Sequence, residues 1–279
     1  MQLVDGCSLV NIQSTGAALN MIVDIQVHLD YALEGCVDCM LQIEAAQREG
    51  QVVHSENLTC SETDYFSRTA AEDNQGERIW LQAEDKLVCD YRAHVEVKRP
   101  NTDISKLEQV SLKELPGEFV KYLLASRYCP ADEFQNFVAA EFGDLSGGAR
   151  IAAITEWINS SFSYVVGSSG PQTTALDTFV QRQGVCRDYA HLLVTLARAS
   201  AIPARFASAY APYVDPQDFH AVAEVYLDDG WHLVDATGMA TPDQIAVIGV
   251  GRDAADVSFL TSYGAASLNA QSVFVLIEK

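Results

Sequence analysis

Residues 184–205 read GVCRDYAHLLVTLARASAIPAR; HAVAEVYL follows at 220–227 and GWHLVDATG at 230–238. Tyr189, Leu192, Leu193 and Leu196 recur at helical spacing, so a helix with one buried face begins at Cys186. Gly184 ends the preceding helix and lets the backbone turn tightly before the cysteine. Pro203 starts a strand over Ala204–Tyr210. His220 opens a second strand and Asp235 lies near the end of a third. Asp229–Gly230 is the turn signal between those two strands. This core is a helix on an antiparallel sheet.

Cys186, His220 and Asp235 are the residue types of a thiol nucleophile, a base and an orienting carboxylate. A cysteine attacks as the thiolate, which a helix N-terminus and a neighbouring imidazolium both favour. The backbone N–H of Cys186 can also donate to a developing oxyanion. With a two-residue turn at Asp229–Gly230, Asp235 sits opposite Glu224, on the same face as His220 but offset along the ladder. A bulge or a different turn must close that gap. His191 is a rival base, but five residues along a helix turn it about 140° from Cys186. His232 is an odd step from Asp235 and faces the other way. Asp188 reads as a favourable first-turn charge or as an anchor for a loop near the site. His28, His54 and His94 lie in the β-rich front and carry no pattern.

The front of the chain alternates. Val23, Ile25, Val27, Leu29 and Tyr31 are apolar with polar residues between them, and so are Cys39, Leu41, Ile43 and Ala45. Leu87, Cys89, Tyr91, Ala93, Val95 and Val97 repeat the pattern, with shorter candidates at Val52–Val53 and 79–83. Residues 21–98 are therefore expected to form a small antiparallel β-sandwich, with residues 1–20 as an N-terminal extension. Cys36 and Cys39 have the spacing of redox and zinc pairs, but no second pair supplies further ligands; both read as structural cysteines. Residues 99–116 form a polar connector, and residues 117–279 the second domain. There Phe119, Tyr122 and Leu123 share a helical face. Asp132 can cap a short helix carrying Phe134, Phe137 and Val138, and Gly147–Gly148 break the chain before a helix over 151–161 that carries Trp157. Thr173 or Thr174 can cap the helix through Ala175–Val180. The tail holds a loop, GVGRDAADVSFL, and ends in a strand-like SVFVLIE.

The 279 residues allow two modest domains. The net charge of −20 disfavours nucleic acid and anionic membrane as partners. No apolar run has the length of a membrane-spanning helix. The N-terminus lacks the basic leader and apolar core of a secretory signal. The seven cysteines are odd in number and scattered, which suits reduced thiols in a cytoplasm. No cofactor or metal site is marked.

Gly184, Cys186 and Asp188, then His220 and Ala221, then Trp231, Asp235 and Thr237, resemble the three sequence blocks of the transglutaminase-like superfamily. The β-rich region ahead of YLLASRYC at 122–129 is similar to bacterial members with an N-terminal β-domain, so the resemblance covers about residues 21–264. It implies an α+β fold with a papain-like core and a triad of Cys186, His220 and Asp235. Val222 stands where many members carry tryptophan, and Ala236 where most carry proline. No residue is assigned as the oxyanion side chain, although Gln181 and Gln183 are near in sequence. No calcium motif is visible. The resemblance implies cysteine-dependent acyl transfer on an amide of a peptide or protein substrate. Bacterial members are commonly described as cysteine proteases, so by family analogy the resemblance implies hydrolysis. The alternatives are amine transfer to protein glutamine, a binding module with a vestigial triad, and acyl-CoA-dependent acetyl transfer.

Overall fold

The computed structural model describes residues 21–278; the expected extension over 1–20 lies outside them. Along the chain run β1 (Met21–Leu41), β2 (Gln51–Cys60), β3 (Phe66–Ala70) and β4 (Glu77–Val97). Then come α1 (Gln135–Phe142), α2 (Gly147–Ser161), β5 (Ser163–Tyr164), α3 (Ala175–Gln181), β6 (Gln183–Gly184) and α4 (Cys186–Ala199). The chain closes with β7 (Ala204–Tyr210), β8 (His220–Leu227), β9 (Gly230–Val234), β10 (Ala246–Gly251), β11 (Leu260–Ser262) and β12 (Ala266–Ile277). The fold is α+β with antiparallel main sheets, as the sequence predicts. Among the described residues no helix is long and apolar enough to cross a membrane.

The alternating front makes one six-stranded antiparallel sheet. Two of its strands come from the far end of the chain. β12 pairs with β1 from Val23↔Ile277 to Leu33↔Ala266, and β11 pairs with it around Met40↔Thr261. The residues expected within the second domain thus complete the first sheet. Segments that read as separate strands are continuous. β1 runs through Gly35 at φ +74, and β4 runs through Asp85 at φ +59 where the β1–β4 register shifts. That bulge lets two long strands bend without losing their shared inner face.

The inner face packs against the second sheet, ordered β10-β7-β8-β9. Ile25, Leu29, Tyr91 and Val95 share one buried cluster with Tyr210, Ala246 and Ile248. The Tyr210 hydroxyl donates to the Ile43 carbonyl at 2.6 Å. The buried Gln51 amide bonds both ways with Val247, accepting from its N–H at 2.7 Å and donating to its carbonyl at 2.9 Å. These bonds satisfy polar groups that water cannot reach, so the two sheets are held in one alignment.

On the other side of the second sheet lies α4. Leu192, Leu193 and Leu196 are fully buried against Ala223, Val225 and Leu227. Each such leucine contributes about 1.5–3 kcal/mol of burial. Ile151, Ile154 and Ile158 of α2 close the same cluster, with Trp157 packed at its margin. Helix α2 starts at the glycine pair rather than after it: a Cβ on Gly148 would stand 1.7 Å from the Ile104 carbonyl oxygen, so the connector can approach only glycine there. Phe119 and Tyr122 lie on a 3-10 helix over Gly117–Tyr122, not on an α-helix. Asp132 caps nothing; a 3-10 turn over Ala131–Phe134 leads directly into α1.

Candidate active site

The site is built where three elements end together. α4 begins at Cys186, β8 begins at His220, and Asp235 follows the last residue of β9. The helix start is fixed by Asp188, whose buried carboxylate accepts from the Val185 N–H at 2.8 Å and from the Ser169 hydroxyl at 2.8 Å. Burial raises the Asp188 pKa, opposed by those donors and by Arg187. Asp188 therefore anchors the loop before the helix, one of the two roles the sequence left open for it. Gly184 has a different reason from the tight turn expected of it. Its φ is not positive, but a Cβ there would stand 2.7 Å from the Asp188 Cβ. Glycine is required by that close approach.

The hairpin brings His220 and Asp235 together with no bulge. The two turn residues are Asp228 and Asp229, at φ 51 and 60, rather than Asp229 and Gly230. Gly230 therefore pairs with Leu227, and the register runs to Ala223↔Val234. Asp235, the next residue, falls diagonally across from His220 instead of two further steps away. His220 Nε2 and Asp235 Oδ2 are 2.9 Å apart, and both side chains are almost wholly buried. Asp235 also accepts from the Thr237 N–H and hydroxyl, and from the Ala240 N–H at 3.0 Å. Those bonds hold the carboxylate in one orientation.

With Nε2 engaged, the other ring nitrogen of His220 is left for the cysteine. Nδ1 is buried without a nitrogen or oxygen partner among the described residues, and Cys186 is among the groups that raise the pKa of the ring. Burial works against a charged imidazole here. The hydrogen bonds and charges of Asp235 and Cys186 outweigh it and lift the His220 pKa to about 10. Burial likewise pushes Asp235 up, but His220 and Thr237 bring it below the ordinary carboxylate value. The geometry thus favours an imidazolium between a carboxylate and a sulfur.

Tyr164 was not legible as a site residue. It sits on β5, paired with Gly184 just before the nucleophile. Burial, and after it the neighbouring Cys186, raise its hydroxyl pKa. A lone tyrosine in SFSYVV gives no periodic or motif signal; only the parallel β5–β6 pairing places it. Gln181 and Gln183, near in sequence, are absent from the cavity wall. The rival base is accounted for: buried His191 accepts from the Ala254 N–H at 3.1 Å and stacks on Tyr128. Burial holds its pKa well below the usual imidazole value. His232 faces away, as its parity requires, and bonds the Leu227 carbonyl.

Cys186 and His220 open into a cavity of about 510 Å³. Phe206, Phe219 and Phe259 give it apolar walls, and the last two rings stack at 4.7 Å. The aspartate-rich tail loop supplies another wall through Ala254, Val257 and Ser258. Buried Asp253 pins that loop by accepting from the Tyr128 N–H at 2.9 Å. Among the described residues no group of His, Cys, Asp and Glu is placed to hold a metal ion. Cys36 is exposed and Cys39 buried.

Residues 136–236 match the model of the transglutaminase-like superfamily. A solved structure from Cytophaga hutchinsonii, provisionally described as a cysteine protease, is 30% identical in sequence. Its superposition covers 94% of this chain and 92% of that one, with a TM-score of 0.88. The periplasmic domain of TgpA from Pseudomonas aeruginosa is 17% identical, with coverage of 82% and 93% and a TM-score of 0.40. An uncharacterized protein of Mycobacterium leprae is 29% identical over 117 residues, which are 39% of this chain and 42% of that protein. The match thus spans less than half the length of this curated relative.

Proposed function

This chain belongs to the transglutaminase-like superfamily, and on that premise we propose that it is a cysteine-dependent hydrolase of peptide amide bonds, with Cys186, His220 and Asp235 as its triad. One observation carries the reading. The buried His220 ring is bonded through Nε2 to Asp235 at 2.9 Å and keeps Nδ1 for the sulfur at the head of α4.

In this mechanism the Cys186 sulfur attacks the amide carbonyl carbon as thiolate. The carbonyl π electrons move to oxygen, and the first-turn N–H of Cys186, which has no acceptor within the helix, faces that charge. The C–N bond then breaks, and the amine leaves with the proton from His220 Nδ1. The resulting thioester is attacked by water, whose proton passes to Nδ1. Collapse of this second adduct breaks the C–S bond and restores the thiolate beside the imidazolium, and the carboxylic acid released gives its proton to solvent. Asp235 holds the ring orientation and stabilises its charge throughout. The apolar walls at Phe206, Phe219 and Phe259 suit an uncharged side chain of the acyl group.

The test is trapping with a mixed peptide library, with and without an added primary amine, followed by mass spectrometry. The expected result is a thioester adduct on Cys186 and free carboxylate products in both arms, all abolished in Cys186→Ala. Amine-capped products in place of carboxylates would overturn hydrolysis in favour of amine transfer. Peptide binding without any adduct would overturn acyl transfer.

A further inference from the structure

A larger cavity, about 710 Å³, lies apart from the first and shares no lining residue with it. Its wall carries Arg48, Lys98, Arg99 and Arg205 in a chain whose net charge is −20. Phe119, Tyr226 and Trp231 form an aromatic side of the same space.

The cations there are not all paired. Arg205 is complete: it bonds Glu224 through Nε at 2.7 Å and Asp73 through Nη1 at 2.8 Å. Arg48, with a side chain 9% exposed, spends only Nη2 on Glu224, at 2.7 Å. Its Nε and Nη1 are buried without a partner among the described residues. Arg99 gives Nη1 to the Pro242 and Ile245 carbonyls, while its Nη2 is buried and unpartnered. Lys98 already pairs with Glu96. The acids on the lining, Glu49 and Asp229, are exposed.

A buried guanidinium N–H without an acceptor costs on the order of 1–3 kcal/mol, and more for a charged donor. Two guanidinium groups sharing one low-dielectric space also repel. Burial and the charge of Arg48 together bring the Arg99 pKa down to about 10. An oxyanion between Arg48 and Arg99 would cancel the repulsion, and a turn of the two side chains would bring their buried N–H groups onto it, since guanidinium N–H groups match the planar geometry of carboxylate and phosphate oxygens. The volume exceeds that of a bare ion and lies in the range of small organic ligands.

We infer that this cavity is a second ligand site, which takes a small organic anion with its carboxylate or phosphate head on Arg48 and Arg99 and its ring or apolar body against Phe119, Tyr226 and Trp231. The site is independent of the proposed hydrolysis. Its link to the first cavity is Glu224, which holds Arg48 and stands four residues after His220 on β8.

Calorimetric titration of the full chain with benzoate, phenyl phosphate and inorganic phosphate tests it, alongside Trp231 fluorescence. The expected result is saturable binding of one or both aromatic anions with a Kd of about 1 mM or below. Benzoate and phenyl phosphate distinguish a carboxylate from a phosphate head. Inorganic phosphate should bind more weakly, for want of the apolar body. Arg99→Gln should lose about tenfold in affinity or more. Because that change also releases the Pro242 and Ile245 carbonyls, Trp231→Phe is the second variant. It should keep the calorimetric binding and lose the fluorescence change. No saturable binding of either aromatic anion, or equal affinity in a folded Arg99→Gln, would overturn the site. So would a ligand-induced fluorescence change that persists in Trp231→Phe.

Discussion

At the residue scale the site rests on what Asp235 accepts. Both its oxygens are filled by donors: Thr237 on one, His220 and Ala240 on the other. Asp235→Asn would turn an NH2 toward one of those donors and remove the charge facing His220. The expected outcome is a kcat roughly 10³–10⁴ lower, with about 1–3 kcal/mol of stability lost. Steady-state kinetics and urea unfolding of the same preparation check both. His220 gives a pH signature. Its folded pKa, about 10, lies above the 6.5 of a free imidazole. Its contribution is therefore fully present below 6.5 and lost as pH rises through about 10. The stability advantage of wild type over His220→Gln should narrow across that window in urea unfolding. A constant difference would mean that the imidazole is neutral. Residue types and strand ends offered Cys186, His220 and Asp235 as candidates, the family resemblance gave them their expected roles, and the structure brings His220 and Asp235 within 2.9 Å. Tyr164 was invisible because its placement depends on a two-residue parallel pairing.

At the scale of elements, the β8–β9 hairpin shows how far local turn chemistry reaches. Asp-Gly is the favoured turn dipeptide, so the sequence points to Asp229–Gly230. Packing selects Asp228–Asp229 instead. That register sets Trp231 opposite Tyr226, with ring centroids 5.3 Å apart, and leaves Phe119 against both. The other register would keep every side chain on its face but set Trp231 beside the turn. Aromatic pairing outweighs the cost of two aspartates at positive φ. On the same strand, Glu224 is the anion between Arg48 and Arg205. Burial pushes its pKa up, but the two arginines bring it down below the ordinary value. Glu224→Ala would leave two buried cations facing each other, for a loss of about 3–5 kcal/mol. Chemical unfolding measures it. A loss below 1 kcal/mol (about one weak surface pair) would contradict this account of the strand.

On the scale of the whole molecule, the chain ends do not respect the order of the sequence. Alternation marked the strands of the front sheet, because a half-buried face writes itself every second residue. The partner of β1 was not written there. Nothing local to SVFVLIE says that it returns across the molecule to pair with Val23–His28, and the pairing appears only when both sheets are assembled. Deleting residues 266–279 should therefore destabilise the front sheet rather than trim the second one. The expected outcome is exposure of the β1 edge and aggregation, read by light scattering and by amide exchange concentrated at Val23–Leu29. Residues 21–98 produced alone should lack cooperative unfolding, and native-like cooperativity in that fragment would contradict the shared architecture.

The central claim is that His220 keeps Cys186 in its reactive form. Its most direct measurement is the rate of Cys186 alkylation by iodoacetamide against pH, located by mass spectrometry, in wild type and His220→Ala. The account predicts that wild type stays reactive at about pH 6, where an ordinary thiol is almost wholly protonated, and that His220→Ala loses that low-pH reactivity by about tenfold or more. Identical profiles in the two proteins would contradict it.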